Sequence, residues 1–416
     1  MSRLDDLIER YVADRVEQRP LGEVGTFIRG TGLQKKDLLD RGVPAFHYGQ
    51  VHTVYGVWTR ETVSFVTEAF AAKLRRAEPG DLVIATTSED DEAVAKATAW
   101  LGDEPAAVSG DAYIYRHTLE PKFVAYFFQS ESFQQQKKAG ITGTKVRRIS
   151  GESLARIRIP VLSLEVQREI VRVLDAFTEL EAELEAELEA RSQQYRHYRD
   201  RLLTFSAGAG AGVRWLPLGE LAGAGFFRDG DWVESRDQDP DGDVRLTQLA
   251  DVGIGTFRDR SKRWMREDQA DRLKCTFLEP GDLLIARMPD PLGRACQVPA
   301  GIGRAVTVVD VAVLRSQRGD VLPRYAMYAI NSQDAQRRIL SFQAGGTRQR
   351  ITRKSLATVE IPIPSIEEQL RLVELLDNFD ALVNDLSSGL PAEIEARRQQ
   401  YAYYRDRLLS FEEAVA

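Results

Sequence analysis

The sequence predicts an α/β (α+β) chain organised as an internal pseudo-twofold repeat: two similar globular modules and a pair of long antiparallel coiled-coil helices. Three observations carry that prediction. Landmarks recur in the same order about 200 residues apart. Apolar runs of strand length follow Pro-Gly turns at matched places in each half, and two long stretches repeat apolar side chains at steps of three and four.

The landmarks are short but ordered. Residues 190–205 (ARSQQYRHYRDRLLTF) return as 396–411 (ARRQQYAYYRDRLLSF), 159–167 (IPVLSLEVQ) as 361–369 (IPIPSIEEQ), and 174–177 (LDAF) as 376–379 (LDNF). Gly143-Thr144 with Arg148-Ile149-Ser150 returns as Gly346-Thr347 with Arg350-Ile351-Thr352. PGDL recurs at 79–82 and 280–283, and PLGE at 20–23 and 217–220. The sequence between these landmarks has diverged. A repeat that keeps its frame and varies its middle points to two like modules that bind different things.

Taken in order, residues 1–19 form a charged amphipathic stretch expected to be helical, without the apolar core or cleavage site of a secretion signal. The first module covers 20–160: 81–86 (DLVIAT) reads as a buried strand, 122–129 as a helix behind a proline, and 157–160 as a strand ended by proline. Residues 161–206 are the central helix and 207–214 a small-residue linker. The second module, 215–362, repeats the plan with a strand at 282–286, a helix at 324–330 and a final strand near 359–364; a second helix occupies 363–416.

In the first helix the apolar seam runs through Ile170, Leu174, Phe177, Leu180, Leu184, Leu188, Tyr195, Tyr198, Leu202 and Phe205. The second seam runs from Leu372 to Phe411 in the same steps. A helix of about 40 residues is roughly 60 Å long and exposes its seam unless it is paired. Two copies in one chain can pair antiparallel. Gly389 and Pro391 are expected to weaken or kink the second copy. The matching region of the first, 179–190, reads ELEA three times in strict tandem. Helix propensity with a solvated acidic face accounts for its composition but not for its repetition.

Composition narrows the class. At 43% hydrophobic and 29% charged the chain is globular, and no run approaches the roughly 18 apolar residues of a membrane span. Cys275 and Cys296 make neither a disulfide framework nor a metal spacing and fit a reducing cytoplasm. The net charge of −7 argues mildly against nucleic acid, although local placement of charge outweighs the sum. Catalytic patterns fail in turn. There is no phosphate loop, no GxGxxG and no Asp/Asn-Pro-Pro-Tyr/Phe motif, and His47, His52, His117 and His197 lack ligand spacing. Residues 237–243 begin like a calcium loop, but its twelfth position is Gln248. Asp111, Glu120 and Lys122 imitate a nuclease order, yet Glu120-Pro121-Lys122 opens a helix. The chain reads as non-enzymatic, with no cofactor of its own.

Basic turns recur instead. Residues 142–148 (TGTKVRR), with Thr144, Lys145, Arg147 and Arg148, match 346–350 (GTRQR), with Thr347, Arg348 and Arg350, followed by Arg353 and Lys354. Hydroxyls, backbone amides and guanidinium groups together suit phosphate contacts. One such turn alone would read as ordinary solvated surface. Lys35-Lys36 and the cations of 258–263 (Arg258, Arg260, Lys262, Arg263) add loops of like character where the modules differ, which suits base readout.

These landmarks together resemble the specificity subunits of Type I restriction-modification systems, across essentially the whole chain. The resemblance is carried by the YRxYRDRLL-like helix ends, the IPxxSxExQ approach to each helix, PGDLxIA, the Gly-Thr…Arg-Ile turn and the ELEA tandem. It implies two target-recognition domains, each reading one half of a split, asymmetric double-stranded DNA sequence. It further implies paired helices that dock two modification subunits, with S-adenosylmethionine held by those partners, motor-nuclease restriction subunits joining them, and no membrane association. On the helix ends, Tyr195, Tyr198, Arg199 and Arg201, with Tyr401, Tyr404, Arg405 and Arg407, become the candidate docking residues and are expected to be exposed. A protein–protein adaptor without DNA readout is the competing reading.

Overall fold

The computed structural model describes residues 16–205, 212–289, 291–343, 349–384 and 389–411. Two compact units partition the chain. One takes in the described residues up to Glu185 and those from Glu393 onward; the other runs from Ala186 to Ala392. Each unit thus holds one module, the start of the helix that follows it, and the end of the helix belonging to the other half.

In the first unit a five-stranded sheet is ordered Gly25–Arg29, Ala112–His117, Leu82–Ala85, Ala97–Trp100 and Trp58–Thr59, antiparallel except for its last pair. A four-stranded sheet lies beside it, with Val43–Phe46 parallel to Ala106–Val108 at its centre. The second unit repeats this plan with Phe226–Asp229, Val311–Arg315, Leu283–Ala286 and Ala295–Gln297, and a smaller sheet in which Val244–Thr247 runs parallel to Ala305–Thr307. The LVIA and LLIA strands are buried at every residue because other layers cover both of their faces, which explains why they read as unbroken apolar runs.

The repeated landmarks are the joints of this frame. In each PGDL turn the aspartate closes the turn and anchors a neighbouring strand. Asp81 accepts from Glu78 N at 2.8 Å and pairs with Arg116 at 2.7 Å; Asp282 accepts from Glu279 N at 2.8 Å and pairs with Arg315 at 2.7 Å. The last strand of each module, Arg158–Pro160 or Glu360–Ile363, pairs antiparallel with its first, Gln18–Pro20 or Arg214–Pro217. A long helix follows each: α1 (Leu164–Leu202) in the first half, α2 (Ile366–Asn384) in the second.

The glutamine of IPxxSxExQ ties helix to module. Gln167 accepts from Glu120 N at 2.8 Å and donates to Leu162 O at 2.7 Å. Gln369 accepts from Leu322 N and donates to Asp320 O and Pro364 O, all at 2.9 Å, with no exposed surface. About two turns further along, Asp175 accepts from Tyr126 and Lys122, and Asp377 accepts from Tyr328 and Arg324.

The helix ends complete the opposite unit. Phe177 stacks on Tyr404 at 5.6 Å, Arg398 bridges Glu181 and Glu185, and Asp406 accepts from Glu131 N at 3.0 Å, all within the first unit. In the second unit Tyr198 stacks on Phe379 at 6.2 Å and Asp200 accepts from Gln333 N at 2.9 Å. The descending partner numbers along α1 in the first unit establish the antiparallel run there.

Three expectations need correction. The 1–19 helix falls largely on residues 1–15, outside the described set, and Gln18–Pro20 is a strand, because it pairs with the module's last strand. Of the 207–214 linker, 207–211 lie outside the described residues, and Arg214 already belongs to a strand. The second long helix is two helices, α2 and α3 (Gly389–Leu409), since Gly389 adopts φ +76, which an α-helix cannot pass through. Among the described residues no helix is long and apolar enough to cross a membrane.

Replacing Gln369 with Leu would strand one N–H and two carbonyls in a buried joint, a loss of roughly 2–4 kcal/mol. Amides of Pro323–Ile330 should then exchange faster with solvent, while those of Pro121–Phe127 keep their protection. Unchanged protection at 323–330 would show that the glutamine does not hold the joint.

Candidate nucleic-acid interface

The first basic turn is a hairpin. Ile141–Thr142 pairs with Arg147–Ile149, leaving Thr144 and Lys145 exposed at the connection. Arg147 folds back, donating to Gly143 O at 2.5 Å and pairing with Asp91 at 2.9 Å, whereas the side chains of Lys145 and Arg148 make no hydrogen bond or ion pair with described residues. The repeated Arg-Ile-Ser/Thr is thereby explained. Its arginine is exposed, its isoleucine (Ile149 or Ile351) is buried, and its hydroxyl caps a short helix through Ser153 N or Ser355 N. Thr347 and Arg348 lie outside the described residues. Arg350 is exposed and 3.6 Å from Asp310; Arg353 is half-buried and tied to Asp229 and Phe227 O; Lys354 is exposed and unpaired among them.

The 258–263 loop is shaped by a fully buried carboxylate. Asp251 accepts from Arg260 N, Ser261 N and Gln248 N at 2.7 Å each, and Arg245 bridges Asp251 and Asp259. This clamp turns Arg258, Arg260, Lys262 and Arg263 outward, where all four are exposed. Lys35 and Lys36 occupy an exposed 3-10 turn, Lys35–Asp37.

What the sequence did not reveal is a groove at the same place in each module. In the first it has a volume of about 540 Å³ and lies between the Gly30–Lys35 segment, His47 and the Ser109–Asp111 turn. In the second it measures about 800 Å³ and lies between Asp231–Arg236, Gln248 and the Val308–Asp310 turn, with Arg263 and Arg350 at its wall. The surrounding backbone matches bond for bond. Gly30 N donates to Ala112 O and Gly230 N to Val311 O; the next residues donate to Val108 O and Thr307 O. At either glycine a Cβ would strike a carbonyl, Ser109 O at 2.1 Å or Val308 O at 2.3 Å. A capping box closes each 3-10 turn, Gln34 with Asp37 and Glu234 with Asp237; another borders each groove, His47 with Gln50 and Gln248 with Asp251.

The structure therefore brings Arg263 and Arg350 together and places Lys35 at a groove, while the 142–148 hairpin, Lys36, Arg258 and Lys354 do not line either one. His47, Asp111, Trp232 and Arg236 went unrecognised as lining residues; aligning the diverged stretches on Gly30 and Gly230 would have found them. His47 Nδ1 accepts from Gly49 N at 3.3 Å. Burial lowers its pKa, with Asp111 opposing and Lys35 assisting, so the neutral ring presents Nε2–H as a donor.

The helix-end residues also need correction. Tyr195 and Arg199 are buried, Tyr401, Tyr404 and Arg405 are half-buried, and Tyr198, Arg201 and Arg407 are exposed. The reason is local packing: Tyr195 joins the second unit's core, and Tyr401 donates to Gln129 in the first. No enzyme-like set assembles from the candidates considered. Glu120 caps its helix through Phe123 N, Lys122 is bound to Asp175, and Asp239 pairs with Arg266. Among the described residues no group of three or more His, Cys, Asp or Glu could hold a metal ion.

Comparison with known proteins fits this architecture. The family described as Type I restriction modification DNA specificity domain matches residues 14–190 and 292–396. The chain is 33% identical over 274 residues to the specificity subunit of the type I restriction enzyme EcoR124I/EcoR124II of Escherichia coli, a match spanning 63% of this chain and 65% of that subunit. It is 29% identical over 322 residues to a putative type I restriction enzyme specificity subunit of Haemophilus influenzae, covering 75% and 76% of the two chains. A solved chain from work on complex assembly and conformational transition of the type I R-M system shares the fold, with a TM-score of 0.62, 18% identity, and 96% and 98% coverage. With its doubled frame and this match over both halves, the chain belongs to the Type I restriction-modification DNA specificity family.

Proposed function

We propose that the chain is the non-catalytic specificity subunit of a Type I restriction-modification assembly. Each module reads one half of a bipartite, asymmetric duplex target. Two modification subunits, which hold S-adenosylmethionine, dock on the helices, and restriction subunits join them. The observation that carries this reading is one backbone frame occurring twice, with grooves at matched places lined by different polar side chains and unpaired cations nearby. A protein–protein adaptor would not need two divergent polar grooves on one scaffold. The exposed helix-end residues Arg201 and Arg407 are left for partners, their neighbours, Tyr198 on Phe379 among them, being committed to the fold.

The direct test is domain exchange. Replacing residues 20–160 with the matching module of a relative, and mapping methylated sites with the partner subunits present, should change one half-site only. A change in both halves would defeat the modular reading.

The hairpin gives a second expectation. Lys145→Ala with Arg148→Ala should weaken DNA binding across all sequences and shallow its salt dependence by about one per lost phosphate contact. Arg147→Ala should alter the slope less, because its charge is engaged by Asp91. Salt titration of binding checks both, and an unchanged slope for the double variant would return the hairpin to ordinary surface.

The ELEA tandem supplies a third. Deleting one unit removes about 6 Å of helix. It also returns an equivalent glutamate pair to Arg398, since Glu181 and Glu185 recur at the repeat's own spacing. The non-specific gap between half-sites should shorten while the bases of each half stay the same. Methylation mapping that finds the original gap would reduce the tandem to a helix-forming filler.

A further inference from the structure

We propose that base identity is read by the diverged side chains of the two matched grooves, and that the cations of the recurring basic turn, Lys145 and Arg148 in the first module, serve as phosphate contacts. This rests on the DNA-recognition reading above and narrows it to particular residues.

The argument is one of symmetry. Two half-sites of different sequence cannot be distinguished by residues the modules share, because the same side chain on the same frame presents the same chemistry. Lys145 and Arg148 belong to the shared turn and line neither groove, so they suit the sequence-independent part of the duplex. Base discrimination must come from positions where the frame is equal and the side chain is not.

The grooves hold such positions. The capping residue bordering each is His47 in one and Gln248 in the other. On the 3-10 turn Lys35 stands where the second module has Ser235. Two residues beyond the matched glycines, Gly32 stands where the second module has Trp232, which is 71% exposed. Leading into the strand beside each parallel pair, the second module has Arg263 where the first has Ser64, which is buried against Gln50 and leaves that place in the first groove empty of a cation.

The chemistry differs accordingly. The first groove offers the His47 Nε2–H and the Lys35 ammonium as donors, with Asp111 as an acceptor. In the second, Arg263 is oriented by one hydrogen bond to Gln238 Oε1 at 3.0 Å, which leaves its guanidinium able to present a second pair of donors. A fork of that kind fits O6 and N7 of guanine. The exposed Trp232 ring adds an apolar face that suits a thymine methyl or a sugar edge.

The test uses the full chain copurified with its methyltransferase subunits and a randomised duplex DNA library, selected at one salt concentration and sequenced. Arg263→Ala should reduce discrimination roughly 5- to 150-fold at one or two positions of a single half. His47→Gln should alter only the other half. Arg263→Lys keeps the charge but loses the fork, so it should lose discrimination with little loss of average affinity; it also serves if the alanine variant folds poorly. Lys145→Ala with Arg148→Ala should lower affinity and leave the selected sequence unchanged. The inference is overturned if both groove variants select the wild-type sequence with undiminished discrimination, or if the hairpin variant changes a base. A wild-type complex that selects no two-part sequence would instead overturn the DNA-recognition reading, and this inference with it.

Discussion

Everything in each unit depends on a buried amide joining a helix to its module. Gln167 and Gln369 are almost wholly inaccessible, and each satisfies backbone groups on both sides of the junction. A glutamine can do this because its side chain carries acceptor and donor on one rigid amide. An apolar residue there would leave backbone polar groups unpaired in the interior, a cost comparable to much of a domain's net stability. About two turns on, Asp175 and Asp377 repeat the logic with a tyrosine hydroxyl and a cation. The helix thereby leaves its module in a fixed direction, whatever the rest of the module has become.

The second constraint is exchange between halves. Each unit is closed by the end of the helix that belongs to the other half of the sequence. The contacts are equivalent, an aromatic stack with the LDxF phenylalanine and an aspartate accepting from the first amide of a module helix. This accounts for the near identity of the YRxYRDRLL segments beside divergent modules. They dock on the frame, so divergence in the grooves exerts no pressure on them. Tyr195 and Arg199 are buried for the same reason, and repetition alone could not separate packing from partner docking.

Much of the fold was legible in the sequence because its joints are short linear motifs. PGDL, IPxxSxExQ and LDxF each place a specific polar atom, and the helix periodicity and both LxIA strands follow directly from apolar spacing. The grooves were not legible. Their walls come from segments far apart in the chain, such as Arg236, Arg263 and Arg350, or Lys35 and Asp111, which meet only through sheet pairing. The strands concerned are two to six residues long, and one pairing beside each groove is parallel, so no hairpin signal announces them. The break at Gly389 was visible as a residue type, but its φ of +76 was not.

Net charge is a weak guide for a related reason. The acidic total of −7 is spread over the chain, and several carboxylates are consumed internally: Glu181 and Glu185 by Arg398, Asp251 by its loop, Asp81 and Asp282 by strand arginines. The cations of the hairpin and of the 258–263 loop are instead largely uncompensated and exposed. Over distances beyond about 10 Å salt screens the remainder, so a polyanion at the surface responds to the local cations more than to the sum. A frame that consumes its own acids and leaves selected cations unpaired can therefore be acidic overall and still present basic ground to a phosphate backbone. Because the basic turn at 142–148 recurs at 346–350 while the 258–263 cations and the groove side chains do not recur, affinity and specificity can change separately on the proposed reading. On that proposal a new target half requires new groove residues and nothing new from the joints.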